Sequence, residues 1–208
     1  MGRPIHADAE ATKGRILASA RALFADVGLD GASIRDVAAG AGVSLGMVHH
    51  YFGSKDDLYG ACIDAVYVEL SEMQRELQAE LAKVGSPAAL LERGVTTAYR
   101  FARAHHVAVR LLVRTTVGAG ELTPRGRALL LSFLDGASTG LAQLTGRKAH
   151  ELRLPLQSVV FLVARYAVAA EGELAQVAGG SARTAHALVE RHLVEVAARL
   201  LLDSPVVH

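Results

Sequence analysis

The sequence of 208 residues is short of cysteine, of net charge (+1 at pH 7) and of long apolar runs. Each shortage excludes something. A lone Cys62 cannot close an intramolecular disulfide, and a single thiol suits a reducing compartment, so a cytoplasmic protein is expected. The longest uncharged stretch, Val37 to Ser54, is interrupted by Gly, Ser and two His, so neither a transmembrane helix nor a membrane partner is expected. The first ten residues have no apolar run after Arg3, unlike a secretory signal. Nucleophile elbow, Walker loop and dinucleotide fingerprint are all missing, and His105-His106 has no partner at i, i+4 spacing. The expectation is therefore no enzyme, no cofactor and no metal. The near-neutral balance also gives no compositional support for a nucleic-acid partner, which usually brings a basic surplus.

What is present is helical period. At 51% hydrophobic the chain is too apolar for disorder and long enough for a sizeable core. Ile16, Leu17, Ala20, Leu23, Phe24 and Val27 fall on one helix face, and Gly28 is placed to end that helix. Ser33-Ile-Arg-Asp36 and Ser54-Lys-Asp-Asp57 read as variant capping boxes, and Ser44 is positioned to cap a helix between them. From Leu58 an apolar stripe through Cys62, Val66, Leu70, Met73, Leu77 and Leu81 runs to Gly85-Ser-Pro87, a helix roughly 40 Å long. Five more helices are expected: about 88–104, 106–117, one starting at Thr123-Pro124, 155–177 and 182–202. The β-branched stretches 107–117 and 159–168 could be argued as strands, but their length and the lack of hairpin turns favour helix. The predicted fold class is all-α with about nine helices.

The informative window is Ser33 to Leu58. Two short helices, each started by a Ser and separated by Ala-Gly42-Val, fit a helix-turn-helix. The second, Leu45-Gly-Met-Val-His-His-Tyr51, has no acid and offers Leu45, Met47, His49 and His50 to base edges, with Gly46 allowing close backbone approach. Taken singly, Ser33, Ser44 and Ser54 are helix caps whatever the function; their common register is what points to DNA.

The run Thr12…Ile16-Leu-Ala-Ser-Ala20…Leu23-Phe24…Gly28…Ser33-Ile-Arg-Asp-Val-Ala38…Ala41-Gly-Val-Ser44-x-Gly46…Tyr51-Phe52-x-Ser54-Lys55…Leu58 resembles the TetR family of bacterial transcriptional regulators. The likeness covers roughly the first 60 residues, and a dozen positions agree in type and spacing. It implies a three-helix helix-turn-helix DNA-binding domain over residues 1–60, joined by a long helix to a helical ligand-binding and dimerisation domain over 61–208. By the same resemblance Ser33, Ser44, Lys55 and Tyr51 would hold phosphates, Arg35 would reach the DNA, and Phe52 would anchor the core. His49 stands where a Tyr is commoner. Residues 1–60 carry Arg3, Lys13, Arg15, Arg21, Arg35 and Lys55 against Asp8, Glu10, Asp26, Asp30, Asp36, Asp56 and Asp57. Few phosphate contacts and a modest salt dependence are expected, with Arg3 and Lys13 as a candidate amino-terminal arm.

The resemblance also implies a repressor dimer that binds a palindromic double-stranded operator and is released by a small apolar molecule. The homodimer is expected through the last two helices. One carries the stripe Val159, Val160, Val163, Ala167, Ala170 and the other Leu188, Val189, His192, Val196, Ala197, Leu200, Leu201. Candidate pocket residues are Tyr99, Phe101, Phe133, Phe161 and Tyr166, and the stripe His106, Arg110, Arg114 is either solvated or a cationic wall for an acidic ligand. Alternatives are a DNA-binding regulator with no small-molecule ligand, or one sensing metal or redox state. Against the redox version, Cys62 lies on an apolar stripe.

Overall fold

Serine hydroxyls start four of the helices. Ser33 Oγ accepts from Asp36 N at 3.1 Å, Ser44 Oγ from Met47 N at 3.3 Å, Ser54 Oγ from Asp57 N at 3.1 Å and Ser86 Oγ from Ala89 N at 3.3 Å. Each satisfies an amide that the first helical turn leaves without a partner. The computed structural model describes the backbone of residues 5–81, 86–119 and 124–203, and the side-chain surroundings of 8–72, 75, 86–116 and 124–203. Arg3, Thr123, and the side chains of Met73, Leu77 and Leu81, all used in the sequence reading, lie outside the described residues.

Among the described residues every element is a helix, and there are ten rather than nine. They are α1 (Ile5–Gly31), α2 (Ile34–Ala41), α3 (Leu45–Phe52), α4 (Lys55–Leu81), α5 (Pro87–Ala104), α6 (His106–Ala119), α7 (Pro124–Thr145), α8 (Ala149–Ala167), α9 (Glu171–Ala178) and α10 (Ala182–Leu201). The additional helix comes from the segment expected as one run over 155–177. It starts earlier, at Ala149, carries Pro155 inside it, and breaks after Ala167, so that α9 is separate. A proline usually marks a first turn, and here it removes one donor to the Glu151 carbonyl instead. The buried row Leu152, Leu156, Val159, Val163 keeps the helix in place around it. No single described helix is long and apolar enough to cross a membrane, and no described group of three or more His, Cys, Asp or Glu is placed to hold a metal ion.

The chain forms two units, interleaved in sequence. One comprises the described part of Met1–Val68 with that of Arg110–Glu121; the other comprises the described parts of Glu69–Val109 and Leu122–His208. Helices α4 and α6 each contribute to both.

In the first unit Ile16, Ala20, Phe24, Val37, Val48, Leu58, Cys62 and Leu111 are buried. Phe24 meets the Tyr59 ring edge-on, 5.1 Å between centroids. Ser19 donates to the Val37 carbonyl at 2.9 Å, tying α1 to α2. Gly28 interrupts α1 as expected, at φ 77 and ψ −179 rather than in the left-handed helical well.

In the second unit α10 packs on α5, α8 and α9, and α8 on α5 and α7. Val159, Val163 and Ala167 of α8 and Val189, Ala197 and Leu201 of α10 are buried within the chain itself. Three of the five residues of the first stripe expected to meet a second subunit, and three of the seven of the second, therefore face this chain's own core. The large apolar side chains these helices leave exposed are Leu154 (79%), Phe161 (47%) and Leu200 (37%).

Candidate nucleic-acid interface

The turn between α2 and α3 is built by Gly42. At φ 64 and ψ 41 it occupies the left-handed region that glycine enters without steric cost, and it donates to the Ala39 carbonyl at 3.1 Å while Val43 N reaches Ala38 O at 3.0 Å. Asp36 seals the other end of α2. Its carboxylate accepts from the Ser33 hydroxyl at 2.8 Å, not from the Ser33 backbone amide as a full capping box would have it. The box at the start of α4 is complete: Ser54 N and Ser54 Oγ both donate to Asp57 Oδ2, at 3.1 and 2.6 Å. These bonds from Ser54 hold the Asp57 carboxyl below its ordinary range.

The candidate DNA-reading residues come together on α2, α3 and the start of α4. Val48 is the buried residue of α3, so its neighbours are turned outward. Leu45, Gly46, Met47, His49 and His50 are exposed, as are Arg35 and Ser44; Ser33, Tyr51 and Phe52 are half-buried. His49 donates from Nδ1 to the Gly53 carbonyl at 2.8 Å, which fixes its ring. The His50 and Tyr51 rings meet edge-on at 5.2 Å. Lys55 also has a role inside the unit. Its Nζ donates to the Leu29 carbonyl at 2.9 Å and the Ala32 carbonyl at 3.3 Å, so it closes the end of α1 and leaves one ammonium donor for a phosphate. Lys13 lies within α1 and is exposed.

Sequence reading missed a clasp on the same unit. Arg110 Nη1 lies 3.1 Å from Asp26 Oδ1, and Arg114 Nη1 donates to the Asp26 carbonyl at 2.9 Å. Thr115 passes its proton to Leu111 O at 2.7 Å and therefore accepts from the Tyr59 hydroxyl at 2.5 Å. The stripe of cations on α6 was visible in the sequence; its partner, 84 residues upstream, was not.

The five aromatic candidates for a pocket all belong to the second unit, and Arg110 of the cationic stripe belongs to the first, paired with Asp26. Phe161 is exposed, and Tyr166 stands edge-on to His192 at 6.1 Å. Phe101 stacks on His105 at 4.1 Å, and Phe133 is half-buried on α7. Tyr99 is core, 1% exposed, with its hydroxyl 3.0 Å from His186 Nδ1. Burial raises the Tyr99 phenol and, aided by Arg103, lowers the His186 imidazole, so the phenol donates to a neutral ring.

Known proteins resemble this chain in sequence and in fold. The sequence pattern described as "Bacterial regulatory proteins, tetR family" matches residues 16–62. The HTH-type transcriptional repressor Rv3405c of Mycobacterium tuberculosis is 30% identical over 162 residues, covering 70% of this chain and 85% of that protein. The HTH-type transcriptional repressor KstR2 of Rhodococcus jostii is 33% identical over 96 residues, 46% of each chain. Among solved structures, a TetR-like transcriptional regulator from Rhodococcus sp. RHA1 superposes with a TM-score of 0.63 at 23% identity, covering 96% of this chain and 97% of that one. The last likeness shows the fold alone, whereas the relative matched over most of its length shows descent: the chain belongs to the TetR family of bacterial regulatory proteins and is a DNA-binding regulator of transcription.

Proposed function

We propose that the protein is a cytoplasmic, homodimeric repressor that binds a palindromic operator and leaves it when a small apolar molecule binds. Residues 1–60 carry the DNA contacts, and 61–208 carry ligand binding and dimerisation. The observation behind the DNA reading is the exposure of Leu45, Gly46, Met47, His49 and His50 on one short helix, with Ser33 and Ser44 capping the two helices of the turn. Helix starts of this kind present unpaired amides to phosphates. Two similar proteins bear the name repressor, which favours repression over activation.

A helix this short reads few base pairs, so two copies on a two-fold site are the natural solution. The exposed Leu154, Phe161 and Leu200 on α8 and α10 supply apolar surface for the partner. The ligand is assigned as apolar rather than acidic, because Arg110 and Arg114 are engaged at Asp26. Tyr99, Phe101 and Phe133 of the second unit are the aromatic side chains nearest to a lining role.

Duplexes selected by the full-length protein from a random pool test the reading. Palindromic sites bound at a mass twice the 21.9 kDa chain support it; a monomer on an asymmetric site counts against it. With Lys55 partly engaged and acids in slight excess over residues 1–60, log K against log salt has a shallow slope, near that of a few phosphates per subunit. A slope near −10 would contradict this.

A further inference from the structure

The chemistry of α3 is unusual for a helix facing water. Leu45 and Met47, two of its first three residues, are each 38% exposed, and Gly46 between them adds no side chain. The helix contains no Arg, Lys, Asn, Gln, Asp or Glu. Those are the side chains that form paired hydrogen bonds with guanine, adenine or cytosine edges in the major groove. Of its two imidazoles, His49 already has Nδ1 committed to the Gly53 carbonyl. At its amino-terminal end the surface it offers is therefore hydrocarbon. The one apolar group on a major-groove base edge is the C5 methyl of thymine.

We infer that this protein reads its operator chiefly through thymine methyl groups, with Leu45 and Met47 as the specificity-determining side chains. The inference rests on the DNA-binding role of α3 and names what that helix recognises. Both residues stand at the amino-terminal end of α3, the end that approaches base edges in helix-turn-helix proteins. Gly46 lets the backbone between them come near the bases. Apolar contact lacks the direction of a hydrogen bond, so operators should share thymines at a few fixed positions and vary elsewhere. Burying one methyl against Leu45 or Met47 is worth about fourfold in affinity.

The test uses the full-length protein and a site it selects from a random duplex pool. Each thymine common to the selected sites is replaced by deoxyuridine, which removes the methyl and leaves base pairing intact. The expected result is a loss of about fourfold per critical methyl. Leu45→Ala and Met47→Ala should each erase that thymine-over-uracil preference at their own position. They should also keep the wild-type salt slope, because no phosphate contact is lost. Both positions are exposed, so the variants should retain the wild-type melting temperature. Equal binding of the uracil duplex at every selected thymine overturns the inference while leaving DNA binding intact. Failure of the wild-type protein to enrich any duplex overturns the DNA-binding role of α3 as well. Selected sites governed by guanine at fixed positions also overturn the inference, and point to readout by Arg35 or His50.

Discussion

Gly28 is where a single hydrogen atom decides the local structure. Its φ of 77 and ψ of −179 belong to a region that only glycine occupies readily, and a Cβ there would lie 2.8 Å from Arg114 Nε. Gly28→Ala should lower the unfolding free energy by about 1–3 kcal/mol in urea titration, and Gly28→Val should do at least as much harm. Cys62 is the opposite case, a residue defined by what cannot reach it. Burial pushes its thiol up to about 12, so iodoacetamide at pH 8 should leave it unmodified in the native protein and label it promptly in denaturant. Rapid native labelling that abolishes DNA binding would restore the redox-sensing alternative. Both residues were legible in the sequence, because a glycine at a helix end and a cysteine on an apolar stripe act through local spacing. Lys55 was legible only by analogy. Nothing in spacing says that its ammonium closes the end of α1 through Leu29 and Ala32.

At the scale of helices, periodicity and caps located α2, α3 and most of the rest. They failed where tertiary packing outweighed a local signal, at Pro155 inside α8, and where a break had no side-chain cap to announce it, before α9. The dimer stripes were read in the correct period, yet the same period serves a helix that packs inside its own chain. Helix ends also lean on distant residues. Arg147 Nη1 donates to the carbonyls of Leu200 at 3.0 Å, Leu201 at 3.2 Å and Asp203 at 3.2 Å, closing the last turn of α10. Arg147→Met should cost about 1–3 kcal/mol, seen as a lower urea midpoint and as faster amide exchange confined to the end of α10. The clasp of Arg110 and Arg114 on Asp26 is more exposed. Its ion pair alone is worth at most about 1 kcal/mol.

For the molecule as a whole, the net charge of +1 says little about its partner, because a total over 208 residues does not register a short helix such as α3, which has no Lys, Arg, Asp or Glu. Acid should nonetheless loosen the second unit. His186 has its protonation constant lowered by burial and by Arg103, against the opposing influence of Glu171 and Glu190. The unfolded chain therefore binds the proton more readily, and the stability this group supplies is intact above about pH 6.5 and lost as pH falls through the lower folded value. Melting temperature should decline from pH 7.5 to pH 5, and His186→Gln should flatten that decline. An unchanged pH profile in the variant would remove His186 from the account. The interleaving of the two units has a consequence for engineering and for descent by recombination. A crossover after Val68 would join one parent's α1 and start of α4 to another parent's α6. Asp26, Gly28 and Tyr59 would then meet foreign residues in place of Arg110, Arg114 and Thr115. Exchange of DNA specificity between relatives is thus expected to succeed when both segments are transplanted as a set, and to yield poorly folded hybrids when only the first is.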